Sequence, residues 1–216
     1  MSIAVKICGL TSAEAVDAAA QAGAAYGGLV FHPASPRNLD LDRAGTLAKQ
    51  MRGKLKVVTL LADPSDEQLA AVMAQVKPDF LQLHGGESAR RVAYIRGKFN
   101  IPVIKALPVA EASDLAAAAE YENVADLLMF DARAPKGAQR PGGHGAAFDW
   151  KILAGRSFAK PWFLAGGLDP DNVARAIEQS GAKMVDVSSG VESAPGVKSE
   201  SLIGDFVAAA RQKAAA

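Results

Sequence analysis

The chain alternates short, continuous apolar runs with longer stretches whose apolar residues recur every three to four positions. Uninterrupted apolar runs are typical of strands buried on both faces, as in a parallel sheet. The amphipathic stretches between them indicate helices that cross over from one strand to the next. The eight predicted strands are Ala4–Cys8, Tyr26–Phe31, Lys56–Ala62, Phe80–His84, Val103–Leu107, Leu127–Phe130, Trp162–Ala165 and Met184–Val187.

Eight helices are predicted after these strands, and several have recognisable ends. Thr11 and Glu14 have the spacing of a capping box before the first helix, and Gly23 follows its last turn. Eight strand–helix units predict an α/β fold that closes into a single (β/α)8 TIM barrel, with residues 1–216 as one domain. An open doubly wound sheet is the alternative, although eight parallel strands are many for it. The predicted helices are Ala13–Ala22, Asp42–Met51, Ser65–Val76, Ser88–Phe99, Ala112–Glu120, Phe148–Ala154, Asp171–Ser180 and Ser201–Lys213.

Composition narrows the possible functions. With a formal net charge of +1 over 216 residues, the chain lacks the basic footprint of a nucleic-acid-binding protein. No apolar run reaches the roughly 18 residues of a membrane span, and no signal peptide is apparent. The single cysteine allows no internal disulfide and favours a reducing compartment, so we expect a cytoplasmic protein.

Two reactive side chains lie at predicted strand ends, where barrels of this type carry their active sites. Cys8 ends the first strand before a helix start, and we expect the helix N-terminus to lower the thiol pKa and favour a thiolate. Asp131 ends the sixth strand, where a partly desolvated carboxyl group suits a general acid. The alternatives are a small buried hydrophobe for Cys8 and a turn or N-cap aspartate for Asp131. A base and an acid on opposite sides of the barrel mouth suit isomerisation by proton transfer.

Further polar or small residues at strand ends indicate a phosphorylated ligand. Gly166-Gly167 and Ser189-Gly190 follow the seventh and eighth strands, where barrels often bind phosphate through backbone N–H groups; ordinary tight turns are the alternative. Arg37 lies on a proline-stiffened loop and suits a bidentate carboxylate contact, unless it is simply solvated. His84 is either a ligand-facing or a structural imidazole. No His, Asp and Cys cluster has ligand spacing, so we expect no metal.

Nine motifs spread along the chain carry a family resemblance. They are Lys6–Thr11, Ser35–Arg37, Gln82–Gly85, Phe130–Asp131, Gly142–Gly143, Phe148–Trp150, Leu164–Leu168, Asn172–Val173 and Asp186–Glu192. Each is weakly specific alone, but the set in this order is highly specific. On these residues the chain resembles the phosphoribosylanthranilate isomerases, tryptophan-pathway enzymes that perform an Amadori rearrangement.

The resemblance implies a (β/α)8 barrel without a cofactor that acts on the phosphosugar N-(5-phosphoribosyl)anthranilate. Asp131 would be the general acid that protonates the furanose ring oxygen, and Cys8, as thiolate, would remove the C2′ proton. Arg37 would hold the anthranilate carboxylate. The remaining substrate-binding residues would be Gly166, Gly167, Ser189 and Gly190 around the phosphate, with His84 and Asp186 near the ligand. We expect a monomer or a homodimer.

Two positions of the chain depart from the family pattern. His144 replaces the usual threonine of the Gly-Gly-x-Gly loop, and Ser199 stands where aspartate is common. His144 belongs to the irregular stretch from Ala132 to Ala147, whose length is typical of a functional or mobile loop.

Two other functions are alternatives to this one. One is that of an isomerase of an aminoimidazole ribonucleotide, which is expected to use two aspartates. The other is a non-catalytic phosphosugar-binding barrel, which would need neither a thiol nor a carboxyl group at the strand ends.

Overall fold

In the computed structural model, which describes residues 3–133 and 147–212, eight parallel strands form a closed barrel. Each strand pairs with the next along the chain, and the eighth pairs with the first, so the barrel prediction is confirmed and the open sheet is wrong. The strands are β1 (Ala4–Cys8), β2 (Tyr26–Phe31), β3 (Lys56–Leu61), β4 (Phe80–Leu83), β5 (Val103–Val109), β6 (Leu127–Ala132), β7 (Trp162–Leu164) and β8 (Met184–Val187).

Seven α-helices surround the barrel in the described ranges. The first four begin at a serine or aspartate whose side chain accepts a backbone N–H of the first turn, as good N-caps do. At the first helix this cap is Ser12 rather than the predicted Thr11. The helices are α1 (Ala13–Ala22), α2 (Leu41–Met51), α3 (Asp66–Gln75), α4 (Ala89–Phe99), α5 (Ala118–Tyr121), α6 (Val173–Ser180) and α7 (Glu200–Gln212).

Two predicted helices are wrong in type or length. The fifth is a 3₁₀ helix, Ala112–Ala117, followed by the single turn α5, and the sixth is only a 3₁₀ helix, Trp150–Leu153. Before the latter, the Asp149 carboxylate accepts the N–H of Lys151, which closes a tight turn. A 3₁₀ turn and an α-turn place apolar residues at similar spacings over so few positions, so the pattern cannot distinguish them.

Apolar side chains cover both the outer and the inner face of the barrel sheet. Outside, the strands pack on the helices in the main core. Inside lie Val58, Ile104, Ala106, Leu127, Met129, Phe163 and Ala165, packed against Tyr26, Phe80 and Met184. Burial on both faces explains why the strands read as continuous apolar runs.

Strand register places two polar side chains of β1 inside this barrel. Lys6 pairs with Tyr26 of β2 and with Asp186 of β8, and paired residues in a parallel sheet point to the same face. Because Tyr26 belongs to the interior cluster, Lys6 also points inward, and Cys8, two residues further, does the same. The ring of Tyr26 contacts the ring of Phe163, with centroids 5.3 Å apart, in the apolar floor beneath these groups.

A small antiparallel hairpin between β8 and α7 was not predicted. It consists of β9 (Glu192–Ala194) and β10 (Val197–Lys198). The Thr11 hydroxyl, after β1, donates to the carbonyl oxygen of Gly196 in its turn at 3.0 Å. The hairpin is thus anchored to the loop at the carboxyl end of β1. No helix in the described ranges is long and apolar enough to cross a membrane.

Candidate active site

Cys8 lies at the carboxyl end of β1, buried beside an ion pair. The Lys6 ammonium group is completely buried and donates to Asp186 Oδ1 at 2.7 Å. Its nitrogen and the Cys8 sulfur both lie close above Gly28 of β2. The Ser188 hydroxyl donates to the Cys8 carbonyl oxygen at 3.1 Å, which ties the ends of β1 and β8 together. The structure therefore places Asp186, predicted as a substrate-binding residue, against Lys6, with 8 % of its surface exposed.

The expected lowering of the Cys8 pKa is wrong. Burial raises the pKa of the thiol above its ordinary value of 9.0. The Lys6 ammonium group opposes this most strongly, and Lys198 opposes it less. The charge that favours the thiolate therefore comes from a lysine on the same strand.

Lys6 itself stays protonated over the whole neutral range. Burial alone would lower its pKa, but the charges of Asp186 and Cys8 outweigh that effect and raise it to about 12. The barrel interior next to Cys8 thus carries a permanent positive charge.

Arg37 lies on the loop after β2 and is 4 % exposed, so it is not a solvated side chain. Its Nε and Nη2 donate to the two carboxylate oxygens of Glu192 at 2.6 and 2.7 Å. Lys198 Nζ donates to the same carboxylate at 2.7 Å. Burial alone would raise the pKa of Glu192, but Arg37 and Lys198 outweigh it and hold that pKa below its ordinary value.

Asp131 lies near the carboxyl end of β6 and meets His84 from the loop after β4. The carboxylate Oδ2 and the imidazole Nε2 lie 3.0 Å apart, and Asp131 is 7 % exposed. The amide nitrogen of Gln82 lies 3.1 Å from Nδ1 of His84. Since an amide nitrogen only donates, this arrangement puts the imidazole proton on Nε2, which donates to Asp131. The Asp131 side chain points into the barrel, on the same face of β6 as Met129.

The thiol and the carboxyl group therefore belong to separate parts of the ring. Between β1 and β6 lie β8 and β7 in one direction and four strands in the other. Each group also has its own partners: charged side chains around Cys8, and an imidazole with an amide next to Asp131. This separation leaves two chemically different environments at one end of the barrel.

The turns after β7 and β8 pack against each other. Gly166 and Gly167 have φ of 87° and 64°, a region that favours glycine. A Cβ on Gly190 would overlap the carbonyl oxygen of Leu168, so close contact between the turns requires glycine there. Among the described residues, no acceptor is hydrogen-bonded to the N–H groups of Gly166 and Gly167. Backbone donors of this kind can bind an anion.

Sequence reasoning missed Lys6, Glu192 and Lys198. The signal for Lys6 was available: it is a charged residue within an apolar run, two positions before Cys8 and hence on the same face. No comparable signal existed for Glu192, because the unpredicted hairpin brings it to Arg37.

Two predictions fall partly or wholly on residues that the structure does not describe. His144 and most of the stretch from Ala132 to Ala147 lie outside the described ranges.

Among residues 3–133 and 147–212, no group of three or more His, Cys, Asp or Glu side chains could hold a metal ion.

Fold and site together define the class: a (β/α)8-barrel enzyme with titratable groups gathered at the carboxyl ends of its strands. The family profile of N-(5'-phosphoribosyl)anthranilate (PRA) isomerase matches residues 5–209. The chain belongs to this family and is an isomerase, as its motifs predict.

Relatives support this assignment over the whole chain. The N-(5'-phosphoribosyl)anthranilate isomerase of Paramagnetospirillum magneticum is 53 % identical over 211 residues, which cover 98 % of each chain. That of Cereibacter sphaeroides is 51 % identical over 209 residues, 97 % of this chain and 99 % of the relative.

Solved structures of phosphoribosylanthranilate isomerases share the fold. The Thermotoga maritima enzyme superposes with a TM-score of 0.86 at 33 % identity, covering 96 % of this chain and 98 % of that one. Another, in complex with reduced 1-(o-carboxyphenylamino)-1-deoxyribulose 5-phosphate, gives 0.83 at 30 % identity with the same coverage. A further solved structure is of monomers generated from the dimeric Thermotoga maritima enzyme.

Proposed function

We propose that the protein catalyses the Amadori rearrangement of N-(5-phosphoribosyl)anthranilate to 1-(2-carboxyphenylamino)-1-deoxyribulose 5-phosphate, a step of tryptophan biosynthesis. Family membership supports the substrate and the reaction. The observation that supports the mechanism is the placement of a thiol and a carboxyl group on β1 and β6 of one barrel, each with a different set of partners. No cofactor is needed, because every step is a proton transfer between substrate and side chain.

Asp131 is the proposed general acid. It protonates the furanose ring oxygen; the bond from that oxygen to C1′ breaks as the nitrogen lone pair forms the C1′=N bond of a protonated Schiff base. His84 supports both protonation states of the acid. Its Nε2–H donates to the carboxylate, and if the Gln82 amide turns end for end, Nδ1–H donates to the amide oxygen while Nε2 accepts the Asp131 hydroxyl proton.

Cys8 is the proposed general base. As thiolate it removes the C2′ proton of the Schiff base, and the electrons of that bond form the C1′=C2′ bond of an enolamine. The enolamine then gains a proton at C1′ and loses one from the C2′ hydroxyl, which gives the ketone product. Both the Schiff base and the enolamine stay attached to the anthranilate nitrogen, so the positions of the two ends of the substrate fix the reacting carbons between base and acid.

Arg37 and the two glycine-containing turns are the proposed anchors for these two ends. Glu192 occupies Nε and Nη2 of Arg37, which leaves Nη1 as the donor for the anthranilate carboxylate. Backbone N–H groups of the turns after β7 and β8 bind the phosphate, while His84 and Asp186 lie near the ligand. The proposed phosphate-binding residues are Gly166, Gly167, Ser189 and Gly190.

We propose one catalytic domain over residues 1–216, present as a monomer or a homodimer in the cytoplasm. The proposed thiolate base supports the cytoplasmic location, because a thiolate must stay unoxidised and therefore needs a reducing compartment. No role for nucleic acid or membrane is proposed, in keeping with the near-neutral net charge of +1.

The test is turnover of N-(5-phosphoribosyl)anthranilate by Cys8→Ala and Asp131→Ala. Each should lower kcat by about 10²–10⁴-fold, the usual contribution of a general acid or base. Asp79→Asn is a matched control, since that carboxylate accepts the N–H of Val57 at the opposite end of the barrel and should leave kcat unchanged. Near-wild-type kcat in either test variant would refute the mechanism.

The same assay separates the rival functions. An aminoimidazole ribonucleotide offered to the wild-type protein should turn over far more slowly than the anthranilate substrate. Binding of the anthranilate substrate without turnover would instead indicate a non-catalytic barrel.

A further inference from the structure

We propose that Lys6 is a positioning residue that stabilises the thiolate of Cys8, and that Asp186 holds it in place for this purpose. The proposal rests on the proposed role of Cys8 as general base and adds the group that makes a buried thiol usable as one. Neither the family assignment nor the motifs give Lys6 a role.

The first support is geometric. Lys6 and Cys8 occupy successive inward positions of β1. Opposite them on β2 is Gly28, where a Cβ atom would lie 2.8 Å from the Cys8 sulfur and 3.1 Å from the Lys6 nitrogen. Sulfur and nitrogen therefore share the space above one glycine, and a side chain on β2 would intrude between them.

The second support is the set of charges around the thiol. Burial and the Asp186 carboxylate disfavour the thiolate, whereas Lys6 and Lys198 favour it, Lys6 more strongly than Lys198. The facing position on β2 is Gly28, which carries no charge. Lys6 is therefore the principal group that compensates a negative charge on the sulfur.

The third support is the balance of charge during proton transfer. A buried ammonium group without a partner is costly, so a lysine paired with the thiolate alone would be stranded once the thiolate gained a proton. Asp186, 2.7 Å from Nζ, keeps Lys6 compensated in that state. The triad thus carries one negative charge as thiolate and none as thiol, and Lys6 remains a cation in both.

Direct titration of the thiol tests the proposal without reference to catalysis. Cys8 is the only cysteine, so the ultraviolet absorbance of the thiolate reports on this one group. A Cys8→Ser reference subtracts the contribution of the three tyrosines. In Lys6→Met the midpoint should rise by about 1–3 pH units, the usual effect of losing an opposite charge, or the thiolate should be absent up to alkaline unfolding.

Two further variants keep the result interpretable. Lys6→Met leaves Asp186 buried and unpaired, so Lys6→Met/Asp186→Asn removes both charges; its midpoint should still exceed that of the wild type, because Lys6 acts more strongly than Asp186. Lys105→Met is the matched control. Lys105 is another buried lysine with a carboxylate partner, Glu87 at 2.7 Å, but it lies on β5, so the midpoint should not move.

The dependence of kcat on pH gives the second readout. Lys6→Met should lower kcat about 10- to 1000-fold near neutrality and recover part of it as the pH rises, matching the shift of the thiol midpoint. A merely structural lysine would lower kcat equally at all pH values.

The outcomes separate this proposal from the one it rests on. An unchanged thiol midpoint in both Lys6 variants, or an equal shift in Lys105→Met, would overturn the role of Lys6. If the midpoint shifts as expected while Cys8→Ala keeps its activity, Lys6 stabilises the thiolate but Cys8 is not the base.

Discussion

The two sides of the barrel mouth, one around Cys8 and the other around Asp131, differ in the groups that surround the titratable side chain. Around Cys8 the partners are fixed charges: Lys6 with Asp186, and nearby Arg37 with Glu192. Beside Asp131 the partners are an imidazole and an amide, whose hydrogen bonds can reverse direction. One side holds fixed ion pairs, and the other holds hydrogen bonds whose direction can reverse.

This difference follows from what each group must do. A thiolate base needs its negative charge compensated at neutral pH, which only a group that stays cationic can provide. An acid must hold a proton, release it and regain it, so its partner has to accept as readily as it donates. Fixed ion pairs beside the acid would favour one protonation state and slow the return.

Apart from the variants of Cys8, Asp131 and Lys6, the largest expected effect concerns substrate binding by Arg37. Arg37→Ala should raise KM by about 100-fold while leaving kcat nearly unchanged, because a charge-assisted contact with the anthranilate carboxylate is made equally in ground and transition states. Steady-state kinetics with the anthranilate substrate measures this.

Glu192→Gln sharpens that result. The neutral amide keeps the shape of the Arg37 partner but removes one charge, so KM should change much less than in Arg37→Ala. A KM in Arg37→Ala equal to that of the wild type would show that the arginine serves only to bind the hairpin.

The next effect concerns the side that carries Asp131 and His84. His84→Ala removes the hydrogen bond to the Asp131 carboxyl group and should lower kcat about 10- to 30-fold, in line with a hydrogen bond to a charged group. His84→Gln, which can still donate and accept, should recover part of the loss. Equal kcat in the alanine variant and the wild type would remove His84 from the proton-transfer apparatus.

The smallest effect is on stability at high pH. The folded-state pKa of Lys6 is about 12 against an ordinary 10.5, so its contribution is complete below about pH 10.5 and is lost as the pH rises through 12. Burial raises the Cys8 pKa and acts in the same direction. The free energy of unfolding, from urea titrations, should fall by about 2 kcal/mol from Lys6 over this range.

The matched comparison is the double variant Lys6→Met/Asp186→Asn, whose unfolding free energy should depend less on pH in that window. At the acid end the sign is reversed. The lowered pKa of Glu192 stabilises the fold above its ordinary value of 4.5, and this contribution is lost as the pH falls below it. An equally steep alkaline decline in the double variant would assign the loss to other groups.

Sequence alone predicted most of the barrel because strand burial on both faces leaves a clear signal. Ala4–Cys8, Tyr26–Phe31 and Met184–Val187 have the predicted bounds. The stretches 112–120 and 148–154 were misread, since apolar spacing over a few residues does not distinguish a 3₁₀ turn from an α-helix.

The candidate site was predictable only where position along a strand decides it. Strand ends pointed to Cys8 and Asp131, but the pKa of the thiol also depends on how deeply it is buried and on Asp186, which reaches Lys6 from β8. Position along β1 reveals neither the burial nor that partner. Glu192 reaches Arg37 through tertiary packing of a hairpin, over 155 positions of sequence.

The seam between β1 and β8 has a consequence for how the chain folds. It joins segments 180 positions apart, so it closes against a large loss of chain entropy and is the last junction that a barrel built in chain order would form. A shift of β1 by one residue would turn Lys6 outward among the helices and bring Ile7 opposite Asp186. A buried charge without its partner penalises that arrangement heavily. The ion pair beside the thiol thus also selects the register in which the barrel closes.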